Sequence, residues 1–215
     1  MATIGIIGSG NIGSVVARAA IGIGDDVVIA NSRGPESLRD LVSELGPRAT
    51  AGTVAEAAAA ADLVLVAIPL KAIGALDPAD FDGKIVIDAD NYYPQRDGRI
   101  AELDDESTTT SELLQRQLPG ARVVKAFNHI RAAEIISAAS ARGTADRRAL
   151  IVAGDDQSAK DRVAAFIDAI GFDVLDLGPL AEGWRIQRDT PAYVAPLDLA
   201  GLRDGIAKAQ RYRDM

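Results

Sequence analysis

Short apolar runs recur along the chain, separated by stretches with helical spacing. Residues 2–7 (ATIGII) form a run that stops at a glycine, and residues 11–21 then place apolar side chains at helical intervals. Residues 27–30 are β-branched and apolar. Residues 35–45 read as a helix, with Pro35 suited to the first turn and Gly46-Pro47 as the stop. Thr53-Val-Ala-Glu56 predicts a capping box that opens an alanine-rich helix through Ala61. Further strands are predicted over 63–68 (LVLVAI, ended by Pro69), 84–88 (KIVID) and 121–127 (ARVVKAF). Thr109-Thr-Ser-Glu112 predicts a second capping box, for a helix ending near Pro119-Gly120. The pattern then shortens: a strand over 148–153, a helix over 155–170 stopped by Gly171, and a strand over 172–177. Residues 178–196 are rich in breakers, and residues 199–213 predict a closing helix.

Strands that alternate with helices and are apolar throughout predict a parallel sheet covered on both faces. Right-handed crossovers make this a doubly wound α/β fold. The longest stretch without periodicity is 92–107, polar and charged, with Pro94 and Gly98. It follows a strand, where α/β proteins place ligand loops.

The composition narrows the chemistry. The 215 residues include no cysteine and one histidine, His129, so disulfides, thiolate metal sites and cysteine nucleophiles are excluded. A net charge of −8 with one Trp, four Tyr and four Phe lacks the basic, aromatic footprint of a nucleic-acid binder. The strongly apolar run 63–70 is too short to span a bilayer, and the first residues enter a strand rather than a signal core. The expectation is a cytoplasmic protein that engages neither nucleic acid nor membrane, with no metal site.

Gly8-Ser9-Gly10-Asn11-Ile12-Gly13 is the strongest motif. It follows a predicted strand and opens a predicted helix, the context a dinucleotide site requires. The first glycine permits a tight turn, the second lets the backbone approach a pyrophosphate, and the third lets helix and sheet pack closely. The pyrophosphate then meets the free N–H groups at the helix N-terminus. NAD-selective sites place a carboxylate at the tip of the next strand. Here that tip is Asn31-Ser32-Arg33. Arg33 can pair with a 2′-phosphate that a carboxylate would repel, which favours NADP(H).

The strand ending Ala67-Ile68-Pro69 can border the nicotinamide, although Pro69 also serves simply to end a strand. Asp88-Ala-Asp90-Asn91 and Lys125-Ala-Phe-Asn128-His129 end the next two strands, so Asn91, Asn128 and His129 are expected in the carboxyl-edge crevice. A lone histidine serves structure as readily as chemistry. Trp184 is a candidate platform for a ring, or an anchor for the last segment.

Together these residues resemble the NADPH-dependent coenzyme F420 reductase family, the F420-dependent NADP oxidoreductases. The resemblance covers most of the chain. It rests on Gly8–Gly13, Asn31-Ser-Arg33, Ile68-Pro69, Val123-Val-Lys-Ala-Phe-Asn128, Gly154-Asp-Asp156 and Gly178-Pro-Leu180. It implies a Rossmann NADP-binding domain over 1–145 with a small C-terminal α/β extension over 146–215. It also implies hydride exchange between NADP(H) and a deazaflavin (coenzyme F420) or a flavin (FMN or FAD), and a homodimer. The same domain type is similar to the NADPH–flavin domain of membrane metalloreductases. Carried over by position, Gly8, Gly10, Asn11 and Ile12 contact the phosphates, Asn31, Ser32 and Arg33 hold the 2′-phosphate, and Ile68 and Pro69 border the nicotinamide. No catalytic side chain is required for hydride transfer between two cofactors.

Two other functions remain open. A dehydrogenase of a small carbonyl or imine needs a proton donor, for which Lys125 and Tyr92 are candidates. A non-enzymatic NADP(H)-sensing module would bind the cofactor without turnover.

Overall fold

The computed structural model describes residues 1–211. Eight strands form one sheet: β1 Thr3–Ile7, β2 Asp26–Ala30, β3 Ala49–Ala51, β4 Leu63–Val66, β5 Ile85–Asp88, β6 Arg122–Lys125, β7 Ala149–Gly154 and β8 Asp173–Asp176. Their spatial order is β3-β2-β1-β4-β5-β6-β7-β8. The order reverses between β1 and β4, so a crevice opens at the carboxyl ends of those strands.

The helices are α1 Asn11–Gly22, α2 Arg39–Leu45, α3 Val54–Ala60, α4 Pro94–Asp97, α5 Ala101–Asp104, α6 Thr110–Gln117, α7 Glu134–Ser137, α8 Gln157–Ala169 and α9 Leu199–Ala207. Both expected capping boxes form. Thr53 Oγ1 accepts from Glu56 N at 3.2 Å while Thr53 N donates to Glu56 Oε2 at 2.8 Å, and Thr109 and Glu112 repeat the pattern.

The continuous apolar runs follow from burial on two faces. In β4, Leu63 and Leu65 join a core with Ile4, Ile6, Val16 and Ile29, while Val64 and Val66 join a second core with Ala57, Ala58 and Leu114. β4 is apolar at every position because neither of its faces meets water.

Three features depart from the pattern. Residues 92–107 hold α4 and α5, each four residues long and too short to show a helical period. β3 is three residues long and leaves no signal of its own. The third departure matters most for function: β7 pairs with β6 antiparallel, not parallel. The segment joining them, residues 126–148, carries only the four-residue α7 and so lacks the long helix that usually makes a parallel crossover. The pairing joins Val124 to Gly154 and Lys125 to Ala153, so the first residues of β7 run past the end of β6.

β8 is parallel to β7, and α9 covers their outer face through Leu202 against Ile151 and Leu175. One core cluster runs from Ile4 to Leu150, Phe166 and Phe172, so the C-terminal part shares its interior with the rest. The closing helix ends at Ala207, and the expected end at Arg213 lies outside the described residues. No helix among the described residues is long and apolar enough to cross a membrane.

Candidate functional site

The glycine loop joins β1 to α1. Gly8 has φ +111°, a conformation that side chains resist, and a Cβ there would sit 2.3 Å from the Ala67 carbonyl oxygen. A Cβ on Gly13 would sit 1.8 Å from the Gly8 carbonyl oxygen. The loop therefore closes only with glycine at both positions. Gly10 is the N-cap of α1 and offers no side-chain cap, while the space where its Cβ would stand is open to 4 Å. The first N–H groups of α1 thus face open space and keep the positive end of the helix available to an anion. Ser9 and Ile12 are half-buried beside this opening, and Asn11 is exposed.

The tip of β2 comes to the same place. Asn31 Nδ2 donates to Ser9 Oγ at 3.2 Å and to Ser37 Oγ at 2.9 Å, and Arg33 N donates to Asn31 Oδ1 at 2.9 Å. Asn31 thus ties the two loops together. Ser32 and Arg33 are exposed, and the Arg33 guanidinium forms no ion pair among the described residues. Glu36, the next carboxylate along the chain, is held by Arg39. An uncommitted cation beside a carboxylate-free strand tip suits a 2′-phosphate.

Ala67, Ile68 and Pro69 line the far side of this opening, where Pro69 precedes a tight helical segment, Leu70–Ala75. Ile68 N donates to Asp90 Oδ1 at 3.0 Å. Asp90 is nearly fully buried, and its Oδ2 has no partner among the described residues. Burial, and then the charge of Asp88, raise its carboxyl well above the usual carboxylate range.

Lys125 Nζ lies 3.3 Å from Asp88 Oδ2, Ser111 Oγ donates to the same oxygen at 2.5 Å, and Asp90 N donates to Asp88 Oδ1 at 2.8 Å. Lys125 also donates to the Asp90 carbonyl at 3.0 Å and to Thr110 Oγ1 at 2.9 Å. All three ammonium protons are engaged, so this buried ion pair is fully hydrogen-bonded.

Lys125 forms part of the floor of a cleft of about 180 Å³ at the tips of β5 and β6. Asn91, Tyr92, Thr110, Trp184 and Arg188 are among its walls. The C-terminal segment closes it: Gln187 Nε2 donates to Glu106 Oε1 at 2.9 Å, and the Tyr93 and Tyr193 hydroxyls meet at 2.8 Å.

The proposed site residues fall into three sets. Gly8–Gly13, Asn31–Arg33 and Ala67–Pro69 gather at the tips of β1, β2 and β4. Asn91 and Trp184 stand at the cleft. Asn128 and His129 turn away from both. His129 is buried, its Nε2 accepts from Ile151 N at 3.1 Å, and its Nδ1 lies 3.3 Å from Asn128 Oδ1. Burial first, then the charges of Arg148 and Lys125, push its pKa down to about 3. The expectation that His129 faces the crevice is thereby corrected: β7 overhangs the end of β6 and covers the ring.

Asn128 is corrected likewise. Its Nδ2 donates to the Ile186 carbonyl at 2.8 Å, and its own carbonyl accepts from Asn91 Nδ2 at 2.8 Å. Phe127, with φ +63°, makes the turn that sends both residues inward. Trp184 borders the cleft, but the Arg185 and Arg211 guanidinium groups stack on its ring at 4.3 and 4.7 Å. It is an anchored wall rather than a free stacking platform.

The Asp88–Lys125–Thr110 network was not apparent as a unit in the sequence. Its signal is the register: Asp88 and Lys125 end adjacent strands and stand opposite one another.

Residues 3–92 match the family model for NADP oxidoreductase, coenzyme F420-dependent. Over 205 residues the chain is 31% identical to metalloreductase STEAP3 of Rattus norvegicus; the match covers 92% of this chain and 39% of that protein's length. Among solved structures, hypothetical protein SMa0349 from Sinorhizobium meliloti is 34% identical with a TM-score of 0.77, over 92% of this chain and 95% of that one. A protein assigned as an F420-dependent NADP-reductase from Arthrobacter sp. FB24 is 26% identical with a TM-score of 0.72, over 85% and 87% of the two chains.

Proposed function

We propose that this chain, whose residues 3–92 match the family model for NADP oxidoreductase, coenzyme F420-dependent, passes a hydride between NADP(H) and a deazaflavin or flavin ring seated at the cleft. One observation carries this reading. Asp90 links the two places a two-cofactor reaction needs: its carboxyl holds Ile68 N, and its carbonyl holds Lys125 at the cleft floor.

The residues present fit NADP(H). The open N-terminus of α1 suits the pyrophosphate, the uncommitted Arg33 suits the 2′-phosphate, and Ile68 and Pro69 border the place for the nicotinamide. When bound, the nicotinamide supplies or takes the hydride. The chain's own work is positional: it holds two rings in register and shields them from water. Neither candidate proton donor is disengaged. Lys125 is locked by three acceptors, and the Tyr92 hydroxyl donates to Asp104 Oδ1 at 2.9 Å. That arrangement favours ring-to-ring transfer over reduction of a small carbonyl. The homodimer implied by the family resemblance belongs to the same proposal, and light scattering on the full chain reads it.

The test is turnover of NADPH with coenzyme F420, FMN and FAD, beside pyruvate as a small carbonyl control. Turnover with a ring acceptor and none with pyruvate is expected. Tight NADPH binding without turnover of any ring would overturn the proposal in favour of a sensing module.

A further inference from the structure

Most polar groups around the cleft are committed to partners within the protein. Asn91 exchanges hydrogen bonds with Asn128, and Tyr92 is held by Asp104 and by Ile100 N. Gln187 donates to Glu106, and Lys125 spends all three protons. Three consecutive threonines also border the cleft. Thr108 Oγ1 donates to Glu112 Oε2 at 3.3 Å, and Thr109 Oγ1 donates to the Leu180 carbonyl at 3.4 Å. Thr110 differs. Its oxygen accepts from Lys125 at 2.9 Å, and its own O–H has no acceptor among the described residues. The Trp184 indole N–H also finds none there.

A hydroxyl that accepts from an ammonium is polarised and becomes a stronger donor through its remaining proton. Lys125 cannot move to serve a ligand without leaving Asp88 unpaired in the interior, so it acts through Thr110. We propose that Thr110, polarised by Lys125, donates the hydrogen bond that recognises a carbonyl oxygen on the acceptor, the atom where negative charge gathers when a hydride reaches a ring with an imide edge. The assignment rests on the functional reading above. Thr110 is the residue that touches the acceptor, and Lys125 is its positioning residue. A fixed donor aimed at developing charge acts without reorganising during the reaction.

Thr110→Val keeps the shape and removes the proton; Thr110→Ser restores it. Three quantities are read for each chain: the NADPH dissociation constant, the FMN dissociation constant by fluorescence, and kcat and KM with FMN and with coenzyme F420. The expected result is unchanged NADPH binding, a roughly 10- to 100-fold loss of kcat/KM in Thr110→Val, and recovery in Thr110→Ser. Lys125→Met, read in the same assays, should lose turnover in the same sense while NADPH binding holds. If the wild-type chain reduces a ring and Thr110→Val matches it, the assignment of Thr110 is overturned and the function stands. If the wild-type chain neither binds nor reduces FMN or coenzyme F420, both fall. Loss of NADPH binding in Thr110→Val in parallel with turnover would mark a structural role and also overturn the assignment.

Discussion

Arg33 and His129 show how far a single residue's meaning depends on its neighbours. Arg33 is exposed and without an ion pair among the described residues, so Arg33→Ala removes little from the fold. It should weaken NADPH binding by about 10- to 100-fold, the worth of a charge-assisted contact, and leave NADH binding nearly unchanged. Titrating both nucleotides checks this, and equal weakening would contradict the 2′-phosphate assignment. His129 carries a different prediction. Its pKa falls from 6.5 to about 3 on folding, so the unfolded chain binds its proton first. The stability from a neutral, buried ring is fully present above pH 6.5 and is lost as pH falls toward about 3. Below pH 6.5 the stability advantage of wild type over His129→Asn should shrink by about 1.4 kcal/mol per pH unit in urea unfolding. A gap that does not change with pH would refute it. Asp90 works in the opposite sense: its raised pKa gives stability below the unfolded value of 3.8 that is lost as pH rises.

The elements at the carboxyl edge were legible to different degrees for local reasons. The capping boxes of α3 and α6 each lie within four residues, and both formed where the sequence places them. The glycine loop is equally local. Gly13→Ala should displace α1, because its Cβ would overlap the Gly8 carbonyl. Lower thermal stability and a loss of NADPH affinity are expected together, measured by thermal melts and nucleotide titration. A variant that melts like wild type yet binds NADPH normally would show that the loop tolerates the methyl group. By contrast, α4, α5 and β3 are three or four residues long, below the length at which a hydrophobic period can be read. Their positions come from packing at the cleft rather than from their own composition.

At the scale of the whole molecule, the C-terminal part is an extension of the sheet and not a separate body. Its strands continue the strand order, and Leu150, Val152 and Phe172 share a core with Ile4 and Leu65. The chain should therefore unfold in one transition. Trp184, the single tryptophan, reports on the C-terminal part, while far-UV circular dichroism reports on the whole sheet. Coincident urea transitions by both probes are expected, and an early fluorescence transition would reveal an independent extension. The sequence alone determined the layered α/β architecture, the glycine loop and the carboxylate-free tip of β2, because each is written in contiguous residues with a fixed period or spacing. Only the tertiary structure decided which polar residues at the tips of β5 and β6 meet the cleft. Asn91, Lys125, Asn128 and His129 all lie at or just past the ends of β5 and β6. The antiparallel β7 then runs past the end of β6 and buries His129, the Ile186 carbonyl takes the Asn128 amide, and Thr110 and Lys125 remain at the cleft. That pairing joins residues about thirty apart in the chain, and no local pattern encodes it.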